Sequence, residues 1–384
     1  MNDNNPIANR LAMVREVMLA EYCKNHSAPW IIAFSGGKDS TLLLHLVWEI
    51  LLSLPSQERR RKVYIVGNDT LVESPLVIRH LKQTITAVRE ASRNADLPVE
   101  TEITEPCIDQ TFWVNVIGRG YIPPTRNFRW CTDRMKIIPT NRLLEKLVLV
   151  HRRAVLLVGT RRSESQNRRR NMEKHGVEAG KMNRHSTIKD CWIFAPLADL
   201  DDEDVWMILM QRKPPWGGSH RGLITLYRNA GGGECPLVLS REDAPSCGTT
   251  SPRFGCWTCT VVKKDRSMRG LIDSGHEDEA KLEALAEFRE WLLELREGND
   301  NRLPVRRDGK TKLRVDGSLV LGPFNLQVRE RILFRLQELQ KEVGERLISS
   351  SEIEIIEDIW RVDKIREDGR LALIASNFSE QSHQ

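Results

Sequence analysis

The amino-acid sequence predicts an α/β protein built on a doubly wound parallel sheet. Three observations lead to this fold class. Short apolar segments alternate with longer amphipathic ones in the first part of the chain, which is typical of strands joined by crossover helices. The first apolar segment turns at once through two glycines into a helical segment. The 384 residues include 40% hydrophobic and 29% charged side chains, which is normal for a globular protein.

The elements of the sheet domain follow in chain order from their periodicity. The first helix carries Leu11, Val14 and Met18 on one face, and the β-branched apolar segments are strands. Helices between successive strands require parallel pairing. The predicted elements are the helix Ile7–Tyr22, the strand Trp30–Phe34, the helix Ser40–Leu54, the strand Val63–Gly67, the helix Pro75–Ala91, the strand Val99–Ile103, the helix Ile137–Leu149 and the strand Ala154–Gly159.

The character of the sequence changes near Asn229, where a glycine run leads into a cysteine-rich segment without regular periodicity. Apolar residues return at helical spacing in Glu277–Glu297 and Phe324–Leu347, which are separated by a turn-rich basic stretch. We therefore expect three regions. These are the sheet domain over residues 1–228, a cysteine-rich segment over 229–270 and a helical, partly basic C-terminal region over 271–384.

Hydropathy and charge limit the classes of partner. The apolar stretches are far shorter than the roughly 20 residues of a membrane helix, and the first residues do not resemble a signal peptide. The sequence thus predicts a cytoplasmic protein with no membrane partner. A net charge of +5 permits a nucleic-acid partner without requiring one. Basic residues cluster at Arg59–Lys62, Arg161, Arg162, Arg168–Arg170 and Arg302–Arg314, and the candidates for stacking on bases are Trp192, Trp216 and Trp257.

Four of the eight cysteines fall close together and indicate a metal site. Cys235, Cys247, Cys256 and Cys259 form the pattern C-x11-C-x8-C-x2-C, and thiols of a cytoplasmic protein are rarely disulfide-bonded. Four thiolates hold either zinc or an iron–sulfur cluster. Zinc ribbons usually present two C-x2-C pairs, and the single pair here favours a [4Fe–4S] cluster over structural zinc or free thiols.

The glycine-rich turn after the first strand predicts a phosphate-binding loop. The segment IIAFSGGKDS contains Ser35, Gly36, Gly37, Lys38, Asp39 and Ser40. Its glycines allow the backbone to approach an anion, and the backbone N–H groups and helix dipole at the start of the next helix favour negative charge. The spacing differs from the Walker A motif. The alternative is a strand-to-helix turn with no ligand.

The loop resembles the PP-loop ATP pyrophosphatase superfamily, whose fold is adenine nucleotide alpha hydrolase-like. The segments RWCTDRMKIIP, GTRRSESQNR and FAPLADLDDEDVW are similar to motifs of its PAPS reductase-like branch. The resemblance implies cleavage of ATP, with Mg2+, between the α and β phosphates, with Lys38 and Asp39 catalytic. It also implies that Arg161 and Arg168 contact the nucleotide or a substrate phosphate. Asp69 and Thr70 are candidates for ribose or adenine contacts, or form an ordinary polar turn.

The cysteine-rich segment, with SCG followed by RFGCWTC, resembles the DndC-type proteins of bacterial DNA phosphorothioation and their SspD relatives. This resemblance implies a sulfurtransferase that activates the DNA backbone phosphate with ATP. Its implied partners are DNA, a cysteine desulfurase as sulfur donor and other proteins of the same system. Cys131 is expected to carry persulfide, because Arg129, Arg134 and Lys136 would lower its pKa. The alternatives for Cys131 are a small buried residue or an extra ligand, and Cys23, Cys107 and Cys191 are expected in the core.

Three other functions compete with this interpretation. A reductase of phosphoadenylyl or adenylyl sulfate would share the sheet domain, but the catalytic ECG-x-H segment of those enzymes has no counterpart in this sequence. A PP-loop enzyme that thiolates tRNA is also compatible with the motifs. The third is a nucleic-acid-binding or scaffold module with structural zinc, which the intact SGGKDS loop disfavours.

Overall fold

A six-stranded sheet organises the first half of the protein, in a computed structural model that describes residues 6–230, 255–275 and 278–381. The strand order is β3-β2-β1-β4-β6-β5. All neighbouring strands are parallel except β5, which runs antiparallel to β6. The predicted fold class is therefore confirmed. The strands are β1 (Trp30–Ala33), β2 (Val63–Asn68), β3 (Val99–Thr104), β4 (Ala154–Leu157), β5 (Met182–Arg184) and β6 (Cys191–Phe194).

The helices connect the strands and continue beyond the sheet. Residues 112–118 and 130–137 include two π-helical turns, Val114–Gly118 and Asp133–Ile137. The α-helices are α1 (Pro6–Tyr22), α2 (Lys38–Ser53), α3 (Pro75–Asn94), α4 (Trp130–Thr132), α5 (Ile138–His151), α6 (Gln166–Lys174), α7 (Asp202–Gln211), α8 (Arg221–Ala230), α9 (Arg266–Asp273), α10 (Glu279–Glu297), α11 (Leu326–Val343) and α12 (Ser350–Gln381).

The four predicted strands and the helices around them are present, with small shifts at their ends. Helix α2 begins at Lys38, earlier than predicted, because the loop itself enters the helix. The long helix α12 was not predicted. Helix α8 continues through Asn229, where the sequence indicated a boundary. The glycine run and the first part of the cysteine-rich segment, residues 231–254, lie outside the described residues.

The first core lies around the central strand β1. Trp30 pairs in register with Val63 of β2 and Val155 of β4, and all three side chains are buried. Helix α2 is apolar over most of its surface, since it packs between α1, the sheet and α7. This helix is the element that begins at the predicted phosphate loop, so the loop rests on the most deeply buried part of the domain.

A second core joins the C-terminal helices to the sheet domain. Trp113 packs edge-on against Phe288 of α10 and also contacts Trp257. Trp113 donates to the carbonyl of Leu347 at 2.8 Å, and Trp360 of α12 donates to the carbonyl of Ile117 at 2.9 Å. The described part of the cysteine-rich segment and the helices after it therefore pack on residues 112–118.

None of the described helices combines the length and the apolar character needed to cross a membrane.

Candidate nucleotide site and cysteine segment

A cavity of about 800 Å3 lies where the strand order reverses. From β1 the chain continues to β2 and β3 on one side, whereas β4 pairs with the other edge of β1. The loops after β1 and β4 therefore diverge and leave a crevice at the carboxyl ends of the strands, where open α/β sheets bind ligands. Ser35–Ser40 and Gly159 line this crevice. The predicted phosphate loop is thus at the ligand-binding edge of the sheet.

The loop between β1 and α2 is held by its own serines. Gly36 has φ +75°, a left-handed conformation that favours glycine. The hydroxyls of Ser35 and Ser40 lie 3.2 Å apart, and the Ser40 hydroxyl donates to the Gly37 carbonyl at 3.0 Å. Because α2 starts at Lys38, the positive end of its dipole faces the cavity. The arrangement provides an anion site made largely of backbone.

Gly159, directly after β4, allows the two diverging loops to approach each other. A Cβ at this position would lie 3.0 Å from the backbone carbon and oxygen of Asp39 and 3.2 Å from the backbone nitrogen of Ser40. These are backbone atoms at the start of α2, which cannot rotate away. The floor of the cavity therefore requires glycine here.

Charged side chains form a network beside the loop. The Lys38 ammonium lies 3.2 Å from Asp39 Oδ2 and 3.5 Å from Asp202 Oδ1. Arg161 Nε donates to Asp39 Oδ1 at 2.6 Å, and Arg161 Nη2 pairs with Asp202. Two cations and two carboxylates thus alternate at one wall of the cavity.

The network sets the protonation of its members. Burial lowers the pKa of the Lys38 ammonium, but Asp39, Tyr227 and Asp202 outweigh that effect, and the net shift is upward. Burial raises the pKa of Asp202, and Lys38 and Arg161 reverse the effect, so this pKa falls below its usual value. Lys38 is therefore a cation and Asp202 an anion at neutral pH. A cation held at the loop can neutralise charge on a bound phosphate.

Arg161 does not face the cavity, which corrects the prediction that it contacts a ligand phosphate. Its side chain is fully buried, and its donors are used by Asp39, Asp202, the Ser163 hydroxyl at 2.8 Å and the Leu200 carbonyl at 3.4 Å. It positions the two carboxylates. Arg168 does line the cavity, half exposed and 2.9 Å from Glu164.

Asp69 and Thr70 also do not line the cavity, and the polar turn considered as their alternative is what the structure contains. Asp69 accepts from the backbone N–H of Leu71 at 2.8 Å and pairs with Lys82. The buried Thr70 hydroxyl donates to Glu73 at 3.1 Å and lies 3.3 Å from the Cys256 sulfur. The polar side chains that line the cavity after β2 are Asn68 and Glu73.

The cysteine segment is attached to this same turn. Glu73 and Cys256 form an antiparallel bridge, with Trp257 N donating to the Val72 carbonyl at 3.0 Å and Ser74 N donating to the Gly255 carbonyl at 3.3 Å. The Lys136 ammonium, which lines the cavity, lies 2.8 Å from Glu73. Cys256, one of the predicted metal ligands, is therefore bridged to Glu73, a residue that lines the cavity.

The environment of Cys131 differs from the prediction. Burial raises the pKa of the Cys131 thiol, and the neighbouring Cys259 raises it further. Lys136 lowers this pKa, but by a smaller amount. Arg134 points elsewhere, 3.2 Å from the Tyr121 hydroxyl. The expected low-pKa thiol is therefore not what the surroundings produce, although Cys131 does lie beside Cys259.

Several other cysteines and tryptophans are placed differently from expectation. Cys191 is buried as predicted, whereas Cys23 and Cys107 are exposed. Trp216 and Trp257 are buried and cannot stack on a base. Of the four predicted metal ligands, Cys256 and Cys259 are described and lie in one turn, with Cys259 N donating to the Cys256 carbonyl at 2.9 Å. Cys235 and Cys247 lie outside the described residues.

The structure adds cavity residues that sequence reasoning did not select. Asp202 and Lys136 are in quoted motifs, FAPLADLDDEDVW and RWCTDRMKIIP, so their charge was an available signal. Tyr227 has no such signal. Its hydroxyl accepts from Lys38 N at 3.3 Å and lies 3.1 Å from where a Cβ on Gly37 would be. It reaches the loop from α8, far along the chain.

The parallel sheet, the crevice at its strand order reversal and the glycine-rich anion loop define a nucleotide-binding class of α/β domain. Residues 29–262 match the phosphoadenosine phosphosulfate reductase domain. The chain belongs to this family.

Individual relatives match a smaller part of this chain than the family domain does. Two uncharacterized proteins of Methanocaldococcus jannaschii are 26% and 27% identical over 188 and 186 residues, which is 49% and 48% of this chain. The matches span only about a third of those relatives, 32% and 37% of their length.

Solved structures share parts of the fold. Phosphoadenylyl-sulfate reductase of Candida auris is 13% identical, with TM-score 0.34, over 55% of this chain and 87% of its own. The U34-tRNA thiolase NcsA of Methanococcus maripaludis, solved with its [4Fe–4S] cluster, is 12% identical, with TM-score 0.36, over 75% and 80%. Candida glabrata FMN adenylyltransferase, solved with FMN and the ATP analogue AMPCPP, is 13% identical, with TM-score 0.36, over 59% and 60%.

Proposed function

We propose that this protein is the ATP pyrophosphatase and sulfurtransferase component of DNA phosphorothioate modification. The observation that carries the proposal is the shared boundary of the two sites. Glu73 lines the cavity and forms a bridge with Cys256, while Lys136 lines the cavity and pairs with Glu73. An enzyme that activates a phosphate and then replaces its oxygen by sulfur needs these two chemistries side by side. The likeness of the cysteine segment to DndC-type proteins supplies DNA as the substrate.

The cavity fits ATP in size and in the distribution of polarity. Its volume of about 800 Å3 is within the range of small-molecule sites. Ala33, Val66, Leu156 and Val158 line the side formed by the strands, which suits an adenine ring, and the loop with Lys38 lines the other side. Asp39 and Asp202 present carboxylate oxygens, the ligand type that Mg2+ prefers. We assign ATP and Mg2+ to this cavity.

The two predicted ligands that the structure describes, Cys256 and Cys259, have the side-chain chemistry of iron–sulfur cluster ligands. Cys256 and Cys259 sit in one turn, and burial raises the pKa of the Cys256 thiol, with Glu73 and Cys259 adding to the effect. With Cys235 and Cys247 they would hold a [4Fe–4S] cluster. When bound, such a cluster supplies iron and electron-transfer capacity and fixes the loop.

The proposed reaction has two displacements. A non-bridging oxygen of the DNA phosphate attacks the α-phosphorus of ATP, the bond to the β-phosphate oxygen breaks, and pyrophosphate leaves. Lys38 and the backbone N–H groups of the loop stabilise the negative charge that develops on pyrophosphate. A sulfur nucleophile that derives from a cysteine desulfurase then attacks the activated DNA phosphorus, and AMP leaves. Cys131 would carry that sulfur as a persulfide, and after the attack two equivalents of a free thiol such as cysteine would cleave the S–S bond, forming a disulfide while they release the phosphorothioate and the Cys131 thiol.

The loop is tested by the Lys38→Ala variant. The protein is incubated with ATP, Mg2+, DNA, cysteine and a cysteine desulfurase, and AMP and pyrophosphate are quantified together with phosphorothioate linkages after nuclease digestion. Loss of a charge-stabilising donor should lower AMP formation about 100- to 1000-fold. The matched control is Lys82→Ala, since Lys82 pairs with Asp69 outside the cavity.

Three results would contradict the proposal. Equal turnover by Lys38→Ala would remove the loop from the reaction. AMP formation that requires a tRNA and not DNA would assign the enzyme to tRNA thiolation, and consumption of phosphoadenylyl sulfate would assign it to sulfate reduction. Anaerobic purification should yield about four iron and four sulfide per chain, and zinc alone would make the cysteine segment structural.

A further inference from the structure

Two surface loops beside the cysteine turn carry exposed cations and an exposed aromatic ring. Arg126, Phe128 and Arg129 lie in the loop before α4, and Lys263 and Lys264 follow the cysteine turn. All five are exposed, and the ring of Phe128 has 45% of its surface accessible. Among the residues that the structure describes, no carboxylate pairs with these four cations. We call this group of five residues the basic rim.

The basic rim is built on a rigid support. Thr125 and Phe128 exchange backbone hydrogen bonds of 3.2 and 3.3 Å, which closes a tight turn with Arg126 at its tip. Tyr121 packs against Phe128, with ring centroids 6.2 Å apart. The ring of Phe128 is therefore held in place on one side and presented to solvent on the other.

Two arginines of α10 fix the second loop against the first. The buried Arg289 donates to the carbonyls of Cys259 and Lys263 at 2.8 and 3.3 Å, and also to that of Val262. Arg296 donates to the carbonyls of Pro124 and Thr260, each at 2.8 Å. Their carbonyl contacts hold the two loops next to each other.

The surface continues to the mouth of the nucleotide cavity. In the helical segment 130–137, Thr132, Asp133, Lys136 and Ile137 are exposed and lie on one face with Arg129, and Lys136 lines the cavity. At a helical rise of about 1.5 Å per residue, Arg129 is about 10 Å from Lys136 along the axis. Asp133 is an exposed acid on this face, and among the described residues the four cations of the basic rim have no carboxylate partner.

We infer that the basic rim binds a single DNA strand, with one unstacked base on the ring of Phe128 and the adjacent phosphates on Arg126, Arg129, Lys263 and Lys264. The inference rests on the proposed function and identifies where the substrate strand would enter. An exposed ring between two exposed arginines suits a base flanked by phosphates, since aromatic side chains stack on any base and arginine contacts phosphate. An acidic protein surface would use the charges but would not need the ring.

Binding of fluorescently labelled single-stranded and duplex DNA, followed by anisotropy without ATP, tests this inference. The wild-type protein should bind the single strand more tightly than the duplex. Arg126→Ala/Arg129→Ala should weaken binding and reduce the slope of log K against log salt by about 1.4, or 0.7 for each lost phosphate contact. Phe128→Ala should weaken single-strand binding about tenfold, and Phe128→Trp should retain it.

Matched controls come from the same chain. Arg59→Ala/Arg60→Ala removes the same charge from the opposite edge of the sheet, before β2, and Phe334→Ala removes another exposed ring, on α11. Both should bind DNA as the wild type does.

The outcomes separate this inference from the proposed function. Undiminished DNA binding by both rim variants overturns the inference and leaves the proposed function intact. Rim-dependent DNA binding without AMP formation supports the inference and contradicts the proposed function. A wild-type protein that binds neither form of DNA overturns both, and loss of desulfurase binding alone in the rim variants would assign the surface to a protein partner.

Discussion

Arg161 and Arg168 lie in one short segment, and burial gives them different roles. Arg161 is completely enclosed and holds Asp39 and Asp202, whereas Arg168 is half exposed at the cavity wall. Because all three of its guanidinium nitrogens donate to protein groups, Arg161 has little left for a phosphate. The positive charge that this network presents to the cavity is that of Lys38, kept protonated by the same two carboxylates.

Arg161→Ala should destabilise the fold, because it removes the buried one of the two cations that Asp39 and Asp202 share and leaves them with Lys38 alone. Breaking a buried pair usually costs 3–5 kcal/mol, and the 43% exposure of Asp202 places the expected cost near the lower end, about 3 kcal/mol. Chemical denaturation measures the change. Arg168→Ala, which removes an exposed pair with Glu164, is the control and should cost under about 1 kcal/mol.

A double variant shows whether charge or packing causes the loss of stability in Arg161→Ala. Arg161→Ala/Asp202→Asn removes one of the stranded charges and should recover part of the lost stability, since directly coupled residues are not additive. An additive or larger loss in the double variant would show that packing, not charge, is what Arg161 contributes.

The junction between β4 and α2 depends on the absence of a side chain at Gly159. Gly159→Ala would place a methyl group 3.0 Å from the Asp39 backbone and displace the start of α2. We expect a loss of about 1–3 kcal/mol in stability and weaker ATP binding, measured by calorimetry. Gly222→Ala is the matched control, because no heavy atom lies within 4 Å of a Cβ there. ATP binding that is equal in the two variants would contradict the role of this junction.

The elements were predictable from sequence where the information is local. The anion loop was found because glycines, serines and lysine follow a buried strand directly, and the strands were found from their β-branched runs. The positions of Arg161 and Tyr227 were not predictable, because their partners Asp39 and Lys38 lie 122 and 189 residues away along the chain. Thr70 failed for the same reason, since Cys256 lies 186 residues away along the chain. Asp69 failed because a nearby residue of α3, Lys82, pairs with its carboxylate.

The whole molecule has a built-in sensitivity to acid in its first core. His220 is buried, 5.8 Å from the ring of His45, and burial, then His45 and His80, lower its pKa to about 4. Between that value and the ordinary 6.5 the unfolded chain binds a proton that the folded chain excludes. Stability is therefore unaffected above about pH 6.5 and falls as the pH decreases toward 4.

This group should remove about 2 kcal/mol of stability between pH 7 and pH 5. Guanidinium unfolding of the wild type and of His220→Asn at both pH values measures the difference. The variant should lose most of this pH dependence, and His175→Asn, at an exposed histidine, should keep it. An identical pH dependence in the wild type and His220→Asn would show that other groups control acid sensitivity.

The contact between Tyr227 and Lys38, which are far apart in sequence, has a consequence for synthesis of the protein on the ribosome. The loop leaves the ribosome early, but its hydrogen-bond partner on α8 follows 189 residues later. At about 5–20 residues per second, synthesis separates the two by roughly 10–40 s. During the first part of that interval β1 also lacks β4, its neighbour on one side. The nascent chain therefore carries an open sheet edge and an incomplete ligand cavity, and it becomes able to hold a nucleotide only after more than half of the polypeptide has been made.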